Sequence, residues 1–119
     1  MSEYADVAEP IVKRFRAICL ALPETREEKA WAGTRWLIRK RTFAHVIGVR
    51  GVDVVTFRSE SPELEVLQHA GHPFFSAGWG RDVVGMIIDD NTDWEEAAEL
   101  MSDSYCVMAP KKLRAVVEG

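Results

Sequence analysis

The chain has 119 residues, 47% hydrophobic and 29% charged, with a formal net charge of −4. That size and balance suit one globular domain, spanning 1–119, with a core of its own. No run nears the ~20 apolar residues of a membrane helix, residues 1–6 lack the basic-then-apolar pattern of a secretory signal, and the acidity speaks against indiscriminate coating of nucleic acid.

Cytoplasmic residence and no membrane partner are expected, and the cysteines agree. Cys19 and Cys106 lie far apart, with no C-x-x-C spacing and no histidine at ligand spacing. Charge is unevenly spread. Residues 31–60 hold six basic groups (Arg35, Arg39, Lys40, Arg41, Arg50, Arg58) against two acidic ones, whereas residues 61–105 hold one basic group against ten acidic.

In chain order, Ile11, Val12, Phe15, Ile18, Cys19 and Leu22 mark the buried stripe of a helix. It starts near Asp6 or Pro10, with Asp6 and Glu9 as a capping box, and Pro23 stops it. Residues 24–33, polar and then aromatic, read as a surface connection ending at Gly33. Three strands follow, over 34–39, 42–49 and 52–58. The first alternates Trp36 and Ile38 against Arg35, Leu37 and Arg39, and Arg50-Gly51 makes a hairpin turn between the second and third.

Ser61-Pro62-Glu63 opens a short helix with a hydroxyl cap and proline at its first position, and Gly71 and Pro73 end it. Residues 83–88 form another strand, paired with residues near 75–79. Thr92-Asp93-Trp94-Glu95 is a capping box for a helix burying Trp94, Ala97, Ala98, Met101 and Tyr105. Pro110 begins the last helical turns. The class is α+β: an antiparallel sheet of about five strands in the order α-β-β-β-α-β-β-α, with helices mainly on one face. The other face is partly exposed and includes Arg35 and Arg39.

Several short motifs point to a family. Ala21-Leu22-Pro23-Glu24 follows the first helix, and Arg41-Thr42-Phe43-Ala44 stands like a "GK-x-F-A" strand start. Phe74-Phe75 with Trp79 precedes the late strand, and Asp103-Ser104-Tyr105 with Ala109-Pro110-Lys111-Lys112-Leu113 forms the closing segment. In this order and spacing, over roughly residues 15–114, the chain resembles the MmcQ/YjbR family. The resemblance implies a small α+β domain like that of secretion chaperones, often labelled DNA-binding for its likeness to a double-wing arrangement. The chain departs from the pattern at Lys40, where the glycine of "GK" is expected, and at Arg41 in place of its lysine. Gly78-Trp79 replaces a His-Tyr pair common in similar sequences.

The residues announce no catalytic chemistry. Gly78-x-Gly80 precedes a strand rather than the helix N-terminus that binds pyrophosphate, so it reads as a tight loop. His69 and His72 sit at a broken helix end and His45 within an apolar strand, where an interior hydrogen bond is expected. The acids at 89–99 read as first-turn residues and a solvated helix face. No enzyme, cofactor or metal site is expected.

The basic set carries the lead hypothesis: low-affinity, salt-dependent DNA binding through Arg35, Arg39, Lys40, Arg41, Arg50 and Arg58, with Lys111, Lys112 and Arg114 as further basic residues at the C-terminus. Trp79 could stack on bases, whereas Trp36 belongs in the core. A protein partner or self-association between the oppositely charged halves is the first alternative. A small-ligand pocket between sheet and helices near Trp31, His72 and Trp79 is the second.

Overall fold

The computed structural model describes residues 3–118. In chain order the elements are β1 (Tyr4–Ala5), α1 (Glu9–Cys19), β2 (Thr25–Lys29), β3 (Thr34–Ile38), β4 (Arg41–Val49), β5 (Val52–Arg58), α2 (Glu63–Gln68), β6 (Phe74–Ser76), β7 (Val83–Ile87), α3 (Trp94–Met108) and α4 (Lys111–Glu118). All strand pairs are antiparallel, in the order β2-β3-β4-β5-β7-β6, with β1 added alongside the end of β4. The α+β class is thus observed with seven strands where about five were expected.

The first added strand is β2, in the stretch expected to be a connection. Its sequence, Thr-Arg-Glu-Glu-Lys, has no apolar alternation because it is an edge strand with charges on both faces, an arrangement that discourages pairing with other chains. The ladder still has work for those charges. Glu27 accepts from Arg16 Nε (2.8 Å) and Nη2 (3.0 Å) of α1 and from the Trp36 indole Nε1–H (3.0 Å). These bonds, above all those from Arg16, hold its carboxyl below the usual range.

Helix caps also differ from expectation. The N-cap of α1 is Ala8, without a side-chain bond, and α1 ends at Cys19. Asp6 does not cap it. Its Oδ1 instead accepts from Gly33 N at 2.8 Å and pairs with Lys29. For α2, Pro62 is the N-cap and Ser61 Oγ donates to Glu65 Oε1 at 2.5 Å rather than to a backbone amide. For α3, Asp93 rather than Thr92 is the cap, accepting from Glu95 N and Glu96 N at 3.1 Å. Thr92 Oγ1 closes the preceding turn on Asp89 N.

The helices share one core with one sheet face. Val12, Phe15 and Cys19 of α1, Leu67 of α2, Ala97, Met101 and Tyr105 of α3, and Leu113 of α4 meet Trp36, Ile38, Val46, Val55, Phe57, Val84 and Met86. Trp36 is completely buried, as expected. A register shift between Trp36 and Leu37 leaves Phe43 as an extra residue on β4, so Phe43 and Ala44 both join this core. The hairpin after β4 turns through Arg50 and Gly51, both at positive φ (50° and 81°), the pattern of a tight two-residue turn.

Side chains on alternate positions face the other way. Leu37, His45, Ile47, Val54, Thr56 and Val83 are buried there without a helix above them. Aromatic rings from loops and edges provide the cover: Tyr4, Trp31, Phe75 and Trp79. Phe75 pairs opposite Gly85 and lies on it so closely that a Cβ at 85 would stand 2.2 Å from its Cζ. Among the described residues, no helix is long and apolar enough to cross a membrane.

Candidate functional site: an aromatic and basic cavity on the helix-free face

The period-two alternation of β3, β4 and β5 brings Arg35, His45, Thr56 and Arg58 to the helix-free face. There they line a cavity of about 180 Å³ with Trp31, Trp79, Thr42 and Val83. The rings form one cluster. Trp31 and Trp79 have centroids 6.3 Å apart at 70°, and Tyr4 meets Trp31 edge-on at 5.0 Å. His45 lies 6.1 Å from Trp31 and 6.2 Å from Trp79. The indoles are exposed for such large rings, Trp31 by 69% and Trp79 by 42%. Exposed indoles gathered around a buried imidazole are uncommon on a surface with no contact to make.

The polar groups are held with defined roles. His45 Nε2 is 2.7 Å from Ala32 O. A carbonyl can only accept, so Nε2 carries the proton and Nδ1 has the lone pair. Burial pulls the imidazole below the usual histidine range, the bond to Ala32 opposes this, and the Arg35 charge adds to it. The ring is therefore neutral at physiological pH. Arg35 Nη2 donates to Glu28 Oε1 at 2.8 Å, while its Nε is shielded from water and has no acceptor among the described residues. Arg58 Nη1 pairs with Asp82 Oδ1 at 2.6 Å, and its backbone N–H donates to Ser104 Oγ at 2.8 Å.

The loop carrying Trp31 is fixed from both sides. Ala30 N bonds Gly33 O at 3.1 Å, Gly33 N bonds Asp6, and Ala32 O receives His45. Gly33 has φ +75° and crosses directly over β4, where a Cβ would fall 1.9 Å from Val46 O. Only glycine fits such an approach.

The structure divides the six basic residues of the sequence analysis among three places. Arg35 and Arg58 line the cavity. Arg39 and Lys40 form the β3–β4 turn, and Arg41, beginning β4, reaches Met108 O at 3.4 Å. Arg50 sits in the turn at the far end of the same nine-residue strand, about 30 Å away at strand rise. They do not make one surface. Arg35, Arg39, Arg50 and Arg58 each have a carboxylate partner, respectively Glu28, Glu24, Glu3 and Asp82. Arg114 bonds Glu118 at 3.2 Å. Of the basic residues singled out in the sequence, Lys40, Arg41, Lys111 and Lys112 make no ion pair among the described residues.

The expected pocket is also rearranged. Trp31 and Trp79 do flank one cavity, but it lies on the helix-free face, not between sheet and helices. His72 is elsewhere, lining a separate cavity of about 220 Å³ beside the start of α3. The reason is topological. β6 lies between His72 and Trp79 in sequence, so the two residues emerge at opposite ends of it. His45, expected as a hydrogen-bonded interior residue, is one, and it is also the floor of the site. The signal for that role was its alternation on β4 with Ala44 and Val46, which face the core.

Next to the cavity, an apolar groove of about 280 Å³ continues along the same face past Tyr4, Val49, Val54, Phe75 and Ile87, sharing Trp79. The thiols are remote from both. Burial pushes Cys19 and Cys106 upward, and the charge of Glu27 adds to the effect on Cys19.

No curated protein matches the chain. A family model described as YjbR matches residues 20–107, a span that includes β2 to β7 and most of α3. The match covers well over half of the sequence, and the chain belongs to the YjbR family.

Proposed function

We propose that this YjbR-family domain is a non-catalytic binding module and that its docking surface is the helix-free face, centred on the Trp31–Trp79 cavity. One observation carries the reading. Two exposed indoles frame a concave site whose floor is a neutral, buried histidine and whose walls hold two arginines. A few placed polar groups within an aromatic lining is how small-molecule sites are built. The absence of catalysis is supported by what the reactive side chains are doing. Both thiols are held protonated by burial, and the Ser104 hydroxyl is bonded to two backbone groups.

Nucleic acid is the second reading, and a specific observation favours it. Lys40 and Arg41 stand at one end of the sheet, and the Arg41–Met108 bond places them near the start of α4 with Lys111 and Lys112. Four cations without carboxylates could hold a phosphate backbone weakly. The cavity remains the better candidate because it offers shape as well as charge.

A thermal-shift screen of metabolites with a short single-stranded oligonucleotide separates these readings, since any ligand selective for the native state raises the midpoint. The expected result is a small compound that stabilises the wild type and has no effect on a Trp31→Ala, Trp79→Ala variant. Stabilisation by the oligonucleotide alone, unchanged in that variant, would reject the cavity.

A further inference from the structure

We infer that the cavity binds a small planar carboxylate, with its ring against the indoles of Trp31 and Trp79 and its carboxylate on the Arg35 guanidinium. The inference rests on the proposal that the cavity is the docking site, and adds the chemical class of the ligand.

Size sets the first limit. At about 180 Å³ the space is only a little larger than the roughly 150 Å³ cavity that accommodates benzene, and it is below the ~300 Å³ at which sites for drug-sized ligands begin. One six-membered ring with one substituent fits. A dinucleotide or a duplex does not.

Charge sets the second. Arg58 is matched one to one by Asp82 at 2.6 Å. Glu28, by contrast, is shared: Arg35 holds one of its oxygens at 2.8 Å and Arg26 the other at 3.1 Å. With His45 neutral and Glu28 shared with Arg26, the charge of Arg35 is only partly offset, leaving a net positive surplus beside the cavity. That surplus suits a single negative charge better than a phosphate dianion.

Donor geometry sets the third. The Arg35 Nε–H is screened from water and has no acceptor among the described residues, an arrangement proteins generally avoid. Its side chain is 41% exposed, so it has room to turn. A turn of the guanidinium brings this unmet donor to a carboxylate arriving in the cavity, with Glu28 retained by Arg26. Guanidinium and carboxylate are matched in plane and spacing. The ring then covers apolar indole surface that is otherwise in water.

Nuclear magnetic resonance with ¹⁵N-labelled protein tests this, using benzoate, its neutral isostere benzamide, and acetate, which lacks the ring. The indole N–H signals of Trp31 and Trp79 are assigned by Phe substitution. Benzoate is expected to shift both, and to bind at least tenfold more tightly than benzamide or acetate. Arg35→Gln should remove that preference, lowering benzoate affinity about tenfold with benzamide unchanged. Should Arg35→Gln fail to fold, Trp79→Leu alters an exposed ring and should weaken benzoate at least fivefold. Equal binding of benzoate and benzamide at these indoles would overturn the carboxylate assignment while the cavity stands. Shifts confined to Trp36 or Trp94 would overturn both. No shift with any probe would overturn the ligand class, with the cavity then judged by the thermal screen.

Discussion

Gly33→Ala is expected to destabilise the domain by more than about 3 kcal/mol, and to disturb the cavity as it does so. Two costs combine. The residue sits at φ +75°, where a side chain costs roughly 1–2 kcal/mol. The new Cβ would also fall 1.9 Å from Val46 O. That atom is backbone in a central strand, held by ladders on both sides, and cannot turn away. Either β4 or the 30–33 loop must shift, and the loop carries Trp31 and the carbonyl that orients His45. Against a total stability of about 5–15 kcal/mol, the melting midpoint should fall by roughly 10 °C or more. Thermal denaturation checks this. A fall of a degree or two would mean that the loop does not lie on β4 as described.

Ser104→Ala carries the second large effect. Ser104 is fully buried on α3, where its hydroxyl donates to Phe43 O at 2.5 Å and accepts from Arg58 N at 2.8 Å. The β4 bulge makes Phe43 an extra residue outside the regular pairing, and Arg58 is the last residue of β5. Removing one oxygen leaves a buried carbonyl and a buried amide unmet, at about 1–3 kcal/mol for each group. The expected loss is about 2–4 kcal/mol in urea unfolding, with the slope m unchanged. A loss within the ~0.5 kcal/mol typical of surface substitutions would show that water or a shifted partner replaces the hydroxyl.

Much of the fold was legible because its signals are local. The apolar stripe of α1, the alternation of β3 and the Arg50-Gly51 turn each depend on a few neighbouring residues. β2 was not legible. Its five residues earn their place through partners distant in sequence, such as Arg16 and Trp36 for Glu27, and an edge strand needs no apolar pattern. β1 is too short to carry a pattern at all.

The site was half legible. Trp31, Trp79, Arg35 and Arg58 were all singled out, but under two different hypotheses, a pocket and a basic surface. Only the sheet brings them together, because registers such as Arg35↔His45 and His45↔Thr56 are set by pairing across strands. His72 was grouped with the tryptophans for its chemistry, and topology separates them. Counting cations also misled by omission: the acids that pair with Arg35, Arg39, Arg50 and Arg58 come from β2, the loops and the N-terminal segment. A basic run in sequence becomes a set of surface ion pairs, each worth little to stability and largely neutralised.

We propose that this domain docks its ligand through the helix-free face. The most direct test is the affinity of the compound that stabilises the protein most, measured by calorimetry on Trp31→Ala and on Lys40→Glu, Arg41→Glu. Docking at the cavity implies at least a tenfold loss for Trp31→Ala and a change below twofold for the double variant. The reverse pattern, with Trp31→Ala silent and the charge reversals abolishing binding, would contradict it.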